Sequence, residues 1–264
     1  MILRRLGNKK KIASEIQKHF PPHKIYIEPF FGAGGMFFNK PKAKYNIVND
    51  LDSDVFNLFQ VVINKKEELE KAFYMMPIHS DLLNYWKKNL EVDPIKKALR
   101  FLMMSNFTLY GKQDTIAFSA RTEHKKQFFN KIDITFKFLS DIKFLNKDFR
   151  KFFNSISFVD IDFGKPSGER DYTFIYADSP YLNTVDTYSD SDAWTELDCI
   201  DLLNALQATK CKFAMSEFNN EFILNQAKER GLNVIIIGER QNLKNRRTEI
   251  LITNYENNQL TMFK

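Results

Sequence analysis

A short apolar segment that runs directly into a glycine cluster limits the possible folds of this chain more than any other feature. Lys24 to Ile27 has the pattern of a β-strand, and Glu28 to Phe37 carries three glycines in four residues. Glycine lets a backbone turn tightly and come close to a ligand. Tyr45 to Asn49 has the pattern of a second strand, and the carboxylate of Asp50 follows it. This order is typical of the start of an α/β sheet that binds a nucleoside.

The rest of the chain alternates between strand-like and helical segments. Apolar spacing predicts helices at Lys9 to Phe20, Ser53 to Ile63, Leu197 to Ala208 and Asn220 to Arg230. It predicts strands at Lys143 to Asn146, Ser157 to Ile161, Thr173 to Ala177, Lys212 to Met215, Val234 to Ile237 and Glu249 to Thr253. Such alternation predicts an α/β fold with a mostly parallel, doubly wound, Rossmann-like sheet.

A helical region interrupts this alternation. From about residue 66 to residue 130 the segments are rich in Lys, Phe and Met, with a polar stretch at Tyr110 to Thr115. We predict a mainly helical insertion at 61–140. It divides one catalytic domain into a cofactor-binding part at 1–60 and a remainder at 141–264.

Composition disfavours a disulfide-rich secreted protein and a membrane protein, but it does not identify the function. The chain has 264 residues, a formal net charge of +6 and two cysteines, Cys199 and Cys211. Two cysteines are too few for a disulfide framework, and no long apolar stretch follows the basic N-terminus, so we expect a soluble cytoplasmic protein. The basic balance is compatible with a nucleic-acid partner, although many basic proteins bind none.

The glycine turn favours a cationic ligand over a dinucleotide. A phosphate-binding turn would place a third glycine where Phe37 stands, and the carboxylate of Glu28 would repel a pyrophosphate. S-adenosylmethionine carries a sulfonium and an ammonium, so it fits better than NAD. Asp50 is placed to accept hydrogen bonds from ribose hydroxyls. A tight turn that binds no ligand would use the same glycines.

A second motif, Asp178 to Tyr181, follows the predicted strand Thr173 to Ala177. Methylation of an exocyclic amine requires the nitrogen lone pair to be released from the ring. The Asp178 carboxylate and the Ser179 carbonyl can accept the two amino hydrogens, and Tyr181 offers a face for a flipped base. Taken alone, the motif would more often be a solvated turn.

Together these segments resemble the Dam-type (D12 class, alpha group) adenine-N6 DNA methyltransferases. The resemblance covers nearly the whole chain, with the glycine motif first and the tetrapeptide late. The matching segments are Leu3 to Lys9, Glu28 to Asn39, Asp50 to Asp54, Asn146 to Phe149, Asp178 to Tyr181 and Arg246 to Tyr255. Glu28 to Asn39 is the most specific match, close to E-P-F-x-G-A-G-x-x-F-x-N. Two positions depart from the family pattern, because Arg5 replaces an aromatic residue and Ser179 replaces a proline.

The resemblance implies an S-adenosylmethionine-dependent methyltransferase sheet, with the insertion as a target-recognition domain. It implies a catalytic set of Asp178, Ser179, Pro180 and Tyr181. The residues expected around the cofactor are Arg5, Lys9, Glu28, Phe30, Gly32, Gly34, Asp50, Asp148, Phe149 and Asp178. No metal is expected to take part.

The expected partner is duplex DNA, with methylation at the N6 of a flipped adenine. Phosphate contacts are predicted for Lys112, Arg121, Lys244 and Arg246, although basic runs are often only solvated surface. A cognate restriction endonuclease and a location on the nucleoid fit this interpretation. Two alternatives stay open, a catalytically impaired DNA-binding module and an adenine-N6 methyltransferase that acts on RNA.

Overall fold

The computed structural model describes most of the chain. The described residues are 2–3, 5, 8–109, 115–117, 122–159, 168–182, 193–241 and 246–256. Within these ranges, only the backbone is described at 122–124, 126, 240, 241 and 246.

A seven-stranded sheet forms the centre of the fold. Its strands are β1 (Ile25–Glu28), β2 (Tyr45–Asn49), β3 (Lys143–Leu145), β4 (Thr173–Ala177), β5 (Lys212–Phe218), β6 (Asn233–Gln241) and β7 (Arg246–Thr253). Their order in the sheet is β3-β2-β1-β4-β5-β7-β6. Neighbours from β3 to β5 are parallel, while β7 runs antiparallel to β5 and β6. The predicted Rossmann-like α/β sheet is confirmed.

The central strands are apolar because both faces of the sheet are covered. All five residues of β4 are buried. Phe174 and Tyr176 lie in one apolar core, and Ile175 and Ala177 lie in the other. Alternate side chains of a strand point to opposite faces, so a strand buried on both sides is a continuous apolar run.

The described residues form nine α-helices, and most begin at a polar cap. They are α1 (Ala13–Gln17), α2 (Ser53–Asn64), α3 (Lys66–Met75), α4 (Ser80–Lys88), α5 (Pro94–Asn106), α6 (Thr122–Leu139), α7 (Phe149–Asn154), α8 (Glu196–Ala208) and α9 (Glu221–Glu229). Asp52 caps α2, and Thr195 with Asp198 forms a capping box at α8. These side chains satisfy backbone N–H groups that have no partner within the helix.

The helices form a layer on each face of the sheet. Helices α1 and α2, together with α3 to α6, share one core with a face of the sheet, while α7, α8 and α9 pack on the other. Helix α2 spans residues 53–64 and so crosses the predicted boundary at residue 60. The division of the chain into domains stays a prediction.

The structure departs from the sequence pattern at three places. The predicted helix Lys9 to Phe20 is a 3₁₀ turn (Lys9–Lys11) followed by the short α1, because the Ile12 N–H bonds to the Lys9 carbonyl and ends the turn. Residues 157–159 of a predicted strand are not in the sheet, and Val159 donates its N–H to the Glu169 side chain instead. Helix α7 was not predicted. In the described ranges, no helix is long and apolar enough to cross a membrane.

Candidate active site

The two sequence motifs meet where the winding of the sheet reverses. Strands β1 and β4 are neighbours, and the chain continues from β1 toward β3 on one side and from β4 toward β6 on the other. Ligands of open α/β sheets bind in the crevice outside the carboxyl ends of the strands at such a point. The turn after Glu28 and the segment from Asp178 to Tyr181 both leave strands at this edge.

The glycine turn is held by backbone bonds and leaves one surface open. Gly32 and Gly34 have φ angles of +53° and +72°, a region that favours glycine. The Phe31 N–H bonds to the Asn49 carbonyl at 2.9 Å, and the Gly34 N–H bonds to the Phe31 carbonyl at 2.8 Å. A Cβ built on Gly32 would have no atom within 4 Å. A ligand can therefore approach the backbone at this position.

The Asp50 side chain is hydrogen-bonded to the glycine turn. Its Oδ2 accepts the Gly32 N–H at 2.5 Å, and its Oδ1 accepts the Asp52 N–H at 2.9 Å. Burial raises the pKa of this carboxyl to about 6, while the nearby Arg5 guanidinium opposes the shift. A carboxylate has about four acceptor positions, so two bonds leave room for hydroxyl groups of a ligand.

Arg5 forms an ion pair at the same edge of the sheet. Its Nη1 lies 3.0 Å from Oδ2 of Asp52, which also caps helix α2. The arginine that replaces the family's aromatic residue is thus held beside the glycine turn, and it places a positive charge near Asp50.

Asn49 joins three loops of the site and was missed in the sequence. Its Nδ2 donates to the carbonyls of Pro29 at 3.0 Å and Lys147 at 2.9 Å, and its Oδ1 accepts the Lys147 N–H at 3.0 Å. The sequence signal that could have revealed Asn49 is a polar amide side chain at the last residue of strand β2. This network brings the segment containing Asp148 and Phe149 up to the glycine turn.

An aromatic cluster connects two of the predicted cofactor residues. The Phe30 and Phe149 ring centroids are 5.7 Å apart, and each lies within 5.8 Å of the Trp194 ring. Asp148 caps α7, because its side chain accepts the Arg150 N–H at 2.9 Å. The structure therefore places Phe30 and Phe149 together, with Asp148 at the edge of the cluster.

Lys9 pairs directly with the carboxylate of the second motif. Its Nζ lies 2.7 Å from Asp178 Oδ1, 3.5 Å from Glu249 Oε1 and 4.3 Å from the Tyr181 ring centroid. The Lys9 side chain is only 3% exposed. A buried ammonium requires such partners, because burying an unpaired charge is costly.

Tyr181 is held on several sides. It is 7% exposed, its hydroxyl donates to Glu249, and its ring meets Phe218 edge-on at 4.6 Å. The backbone N–H of the next residue, Leu182, donates to Glu217 Oε2 at 3.2 Å. Ser179 is buried and Pro180 is exposed. Tyr181 is thus held by a carboxylate from β7, and the residue after the tetrapeptide is held by a carboxylate from β5.

Glu28 lies behind the site and is fully enclosed. The Tyr26 hydroxyl donates to its Oε2 at 2.8 Å. Burial raises the pKa of Glu28 to about 8, and burial lowers the pKa of Lys40 to about 8. At neutral pH, burial therefore favours the uncharged acid, and the electrostatic repulsion of a pyrophosphate is weaker than the sequence alone indicates.

The predicted DNA contacts fall almost wholly outside the described residues. Lys112, Arg121 and Lys244 lie outside them, and Arg246 begins β7 with only its backbone described. Lys125, another basic residue of the insertion, is buried and donates to the Tyr74 and Met76 carbonyls at the end of α3. Across the residues that the structure covers, no three His, Cys, Asp or Glu side chains group as a metal site.

Fold and site together define an α/β protein with a glycine turn beside a strand-end carboxylate, at the point where the winding of the sheet reverses. The sequence model of the family described as D12 class N6 adenine-specific DNA methyltransferase matches residues 6–243. The chain belongs to this family.

Three relatives are identical to the chain at about a quarter of the aligned positions. DNA adenine methylase of Escherichia coli (strain K12) is 25% identical over 188 residues, which is 66% of this chain and 62% of that protein. DNA adenine methylase of Haemophilus influenzae is 28% identical over 66% of this chain and 61% of that protein. A type II methyltransferase of Lactococcus lactis subsp. cremoris is 24% identical over 95% of this chain and 94% of its own length. The chain thus spans about three fifths of the length of the two adenine methylases.

Proposed function

We propose that this chain transfers a methyl group from S-adenosylmethionine to the exocyclic N6 of adenine in duplex DNA. The observation that carries the proposal is the position of Asp178, at the carboxyl end of β4 and next to the glycine turn of β1. Membership in a family described by this chemistry supports it.

The residues around the glycine turn fit the proposed methyl donor. Gly32 offers open backbone, Asp50 retains acceptor positions, and Phe30 with Phe149 supplies an apolar surface. S-adenosylmethionine, when bound, supplies a methyl group activated by a positive sulfur. Carboxylates suit such a ligand because they balance its charge.

The residues of the tetrapeptide would orient the amine. Asp178 accepts one amino hydrogen and the Ser179 carbonyl accepts the other, which directs the nitrogen lone pair out of the ring plane. Formation of the nitrogen–methyl bond would break the methyl–sulfur bond and release S-adenosylhomocysteine, and the methylated nitrogen would then lose its surplus proton to water. The step needs positioning and electrostatic stabilisation but no strong base. Tyr181 is proposed as the aromatic surface for the flipped adenine, and because this residue is 7% exposed with Lys9 over its ring, the base can stack there only if the lysine moves. Replacement of proline by Ser179 keeps the carbonyl that this arrangement uses.

The insertion at 61–140 is proposed to read the DNA target, with the remaining segments forming the catalytic domain. Lys112, Arg121, Lys244 and Arg246 are proposed as phosphate contacts, which position the protein without selecting the sequence. The type II relative supports a further proposal, that a cognate restriction endonuclease acts on the same sites. The proposed place of action is the nucleoid in the cytoplasm.

The test is transfer of tritium from labelled S-adenosylmethionine to mixed-sequence duplex DNA. Asp178→Ala should abolish transfer while DNA affinity stays within about twofold, because Asp178 contacts the amine and not a phosphate. Asp171→Ala is the matched control, since Asp171 is an exposed aspartate before the other end of β4. It should transfer at the wild-type rate. Near-normal turnover by Asp178→Ala would refute the mechanism.

Two results with the wild-type protein would favour other functions. Binding of cofactor and DNA without transfer would identify a catalytically impaired DNA-binding module. Preferred transfer to structured RNA would identify an RNA methyltransferase. Methylation-sensitive sequencing of DNA from cells that express the protein would reveal the methylated sequence.

A further inference from the structure

Lys9 lies between two carboxylates, and only one of them belongs to the tetrapeptide. Its Nζ is 2.7 Å from Asp178 Oδ1 and 3.5 Å from Glu249 Oε1. Glu249 is 1% exposed and comes from β7, where it pairs with Phe218 of β5. A second buried acceptor is therefore already within salt-bridge distance of the ammonium.

The proposed reaction makes competing demands on Asp178. Its carboxylate has to accept a hydrogen from the neutral adenine amine, but Lys9 already donates to Oδ1. A hydrogen bond between two charged groups is stronger than one from a neutral donor. The carboxylate keeps other acceptor positions, but while its charge is paired with the ammonium it is a weaker acceptor for the neutral amine.

We propose that Glu249 is a positioning residue that takes over the Lys9 ammonium when the target amine binds Asp178. This inference rests on the proposed function. The movement is short because Nζ lies near both carboxylates, and a lysine stem is flexible enough to make it. Glu249 also accepts the Tyr181 hydroxyl, so the same carboxylate holds the aromatic ring and receives the lysine.

The sequence of β7 sets Glu249 apart from its neighbours. Ile250, Leu251 and Ile252 are buried and apolar, as expected for a strand covered on both faces. A buried carboxylate at such a position is costly unless it is paired, and two of its partners, Lys9 and Tyr181, belong to the site. A purely structural role would require only that Glu249 neutralise Lys9. The proposed role requires an effect on transfer that passes through Lys9.

The first measurement is the single-turnover rate of methyl transfer at saturating cofactor and DNA. Glu249→Gln keeps an acceptor for the Tyr181 hydroxyl but removes the charge. We expect the rate to fall about 10- to 100-fold, because a misplaced group near the reacting atoms has effects of this size. Cofactor affinity should change less than about twofold. Glu229→Gln, on the exposed side of α9, is the matched control and should leave the rate unchanged.

A double-mutant comparison separates positioning from simple stabilisation. If Glu249 acts through Lys9, the Lys9→Met/Glu249→Gln variant should transfer at the rate of Lys9→Met alone. An additional loss in the double variant would overturn the inference. This comparison also serves if Glu249→Gln fails to fold, since the double variant also removes the buried lysine whose charge Glu249 helps to balance.

Failure of the inference differs from failure of the proposed function. Wild-type protein that methylates no adenine refutes the proposed function. Wild-type activity together with full activity of Glu249→Gln refutes only the role of Glu249. The inference is supported if Glu249→Gln lowers the transfer rate in the wild-type background but does not lower it further in the Lys9→Met background.

Discussion

The Asp50 carboxylate accepts the backbone N–H of Gly32 at 2.5 Å, across the space between the ends of β2 and β1. It also accepts the Asp52 N–H, so one side chain fixes both sides of the proposed cofactor pocket. Sequence reasoning assigned Asp50 only to ribose hydroxyls. The structure gives it a second task, which is to hold the left-handed glycine conformation in place.

Asp50→Ala is expected to weaken S-adenosylmethionine binding about 10- to 100-fold. A hydrogen bond to a charged group contributes about 1.5–3 kcal/mol, and about 1.4 kcal/mol corresponds to a factor of ten. Calorimetric titration measures the change. Asp50→Asn keeps one acceptor oxygen and should show an intermediate loss. Unchanged affinity in the alanine variant would remove Asp50 from the site.

Arg5→Ala should weaken cofactor binding about fivefold at low salt. The Arg5 guanidinium pairs with Asp52, and a partly exposed ion pair contributes up to about 1 kcal/mol. Because salt screens such a pair, the difference from wild type should shrink in 0.5 M salt, where the Debye length is about 4 Å, compared with about 30 Å at 0.01 M. Titrations at two salt concentrations test this. Lys18→Ala, which breaks an exposed pair with Glu15, is the control. A loss that does not depend on salt would contradict the ion-pair explanation.

The sequence predicted most of the strands and the glycine turn because these depend mainly on interactions between residues close together in the chain. Strand β4 has the predicted bounds, and the turn before Asp50 has the backbone that its glycines suggested. The contacts of Lys9 with Glu249 were beyond the sequence, since they join residues 240 positions apart through the sheet order. Only the presence of a carboxylate within an apolar strand pointed to Glu249. The broken helix after Lys9 shows the same limit, because its spacing suits one helix while backbone bonding at Ile12 forms two short pieces.

Glu28→Gln should flatten the dependence of stability on pH. Burial raises the pKa of Glu28 from 4.5 to about 8, so the folded protein keeps a proton that the unfolded chain loses within this interval. The stability that Glu28 contributes is therefore fully present below about pH 4.5 and is lost as pH rises through about 8. The glutamine cannot ionise and still accepts the Tyr26 hydroxyl. Denaturant unfolding at pH 5 and pH 9 should show a smaller decrease for the variant than for wild type. Glu15→Gln, on the surface, should keep the wild-type slope, and equal slopes for all three proteins would contradict the prediction.

Gly35→Ala should slow methyl transfer by displacing the turn that carries Lys9. A Cβ on Gly35 would lie 2.1 Å from Asn8 Oδ1 and 3.1 Å from the Lys9 backbone nitrogen. Asn8 caps this turn by accepting the Lys10 N–H at 2.9 Å, so the methyl group would push the cap and move the Lys9 ammonium out of its position between Asp178 and Glu249. We expect the single-turnover rate to fall about 10- to 100-fold. Asn8→Ala removes the atom that the methyl group would strike, so the Asn8→Ala/Gly35→Ala variant should recover part of the rate. Wild-type transfer by Gly35→Ala would show that the Lys9 turn tolerates the shift and that its exact position does not limit the reaction.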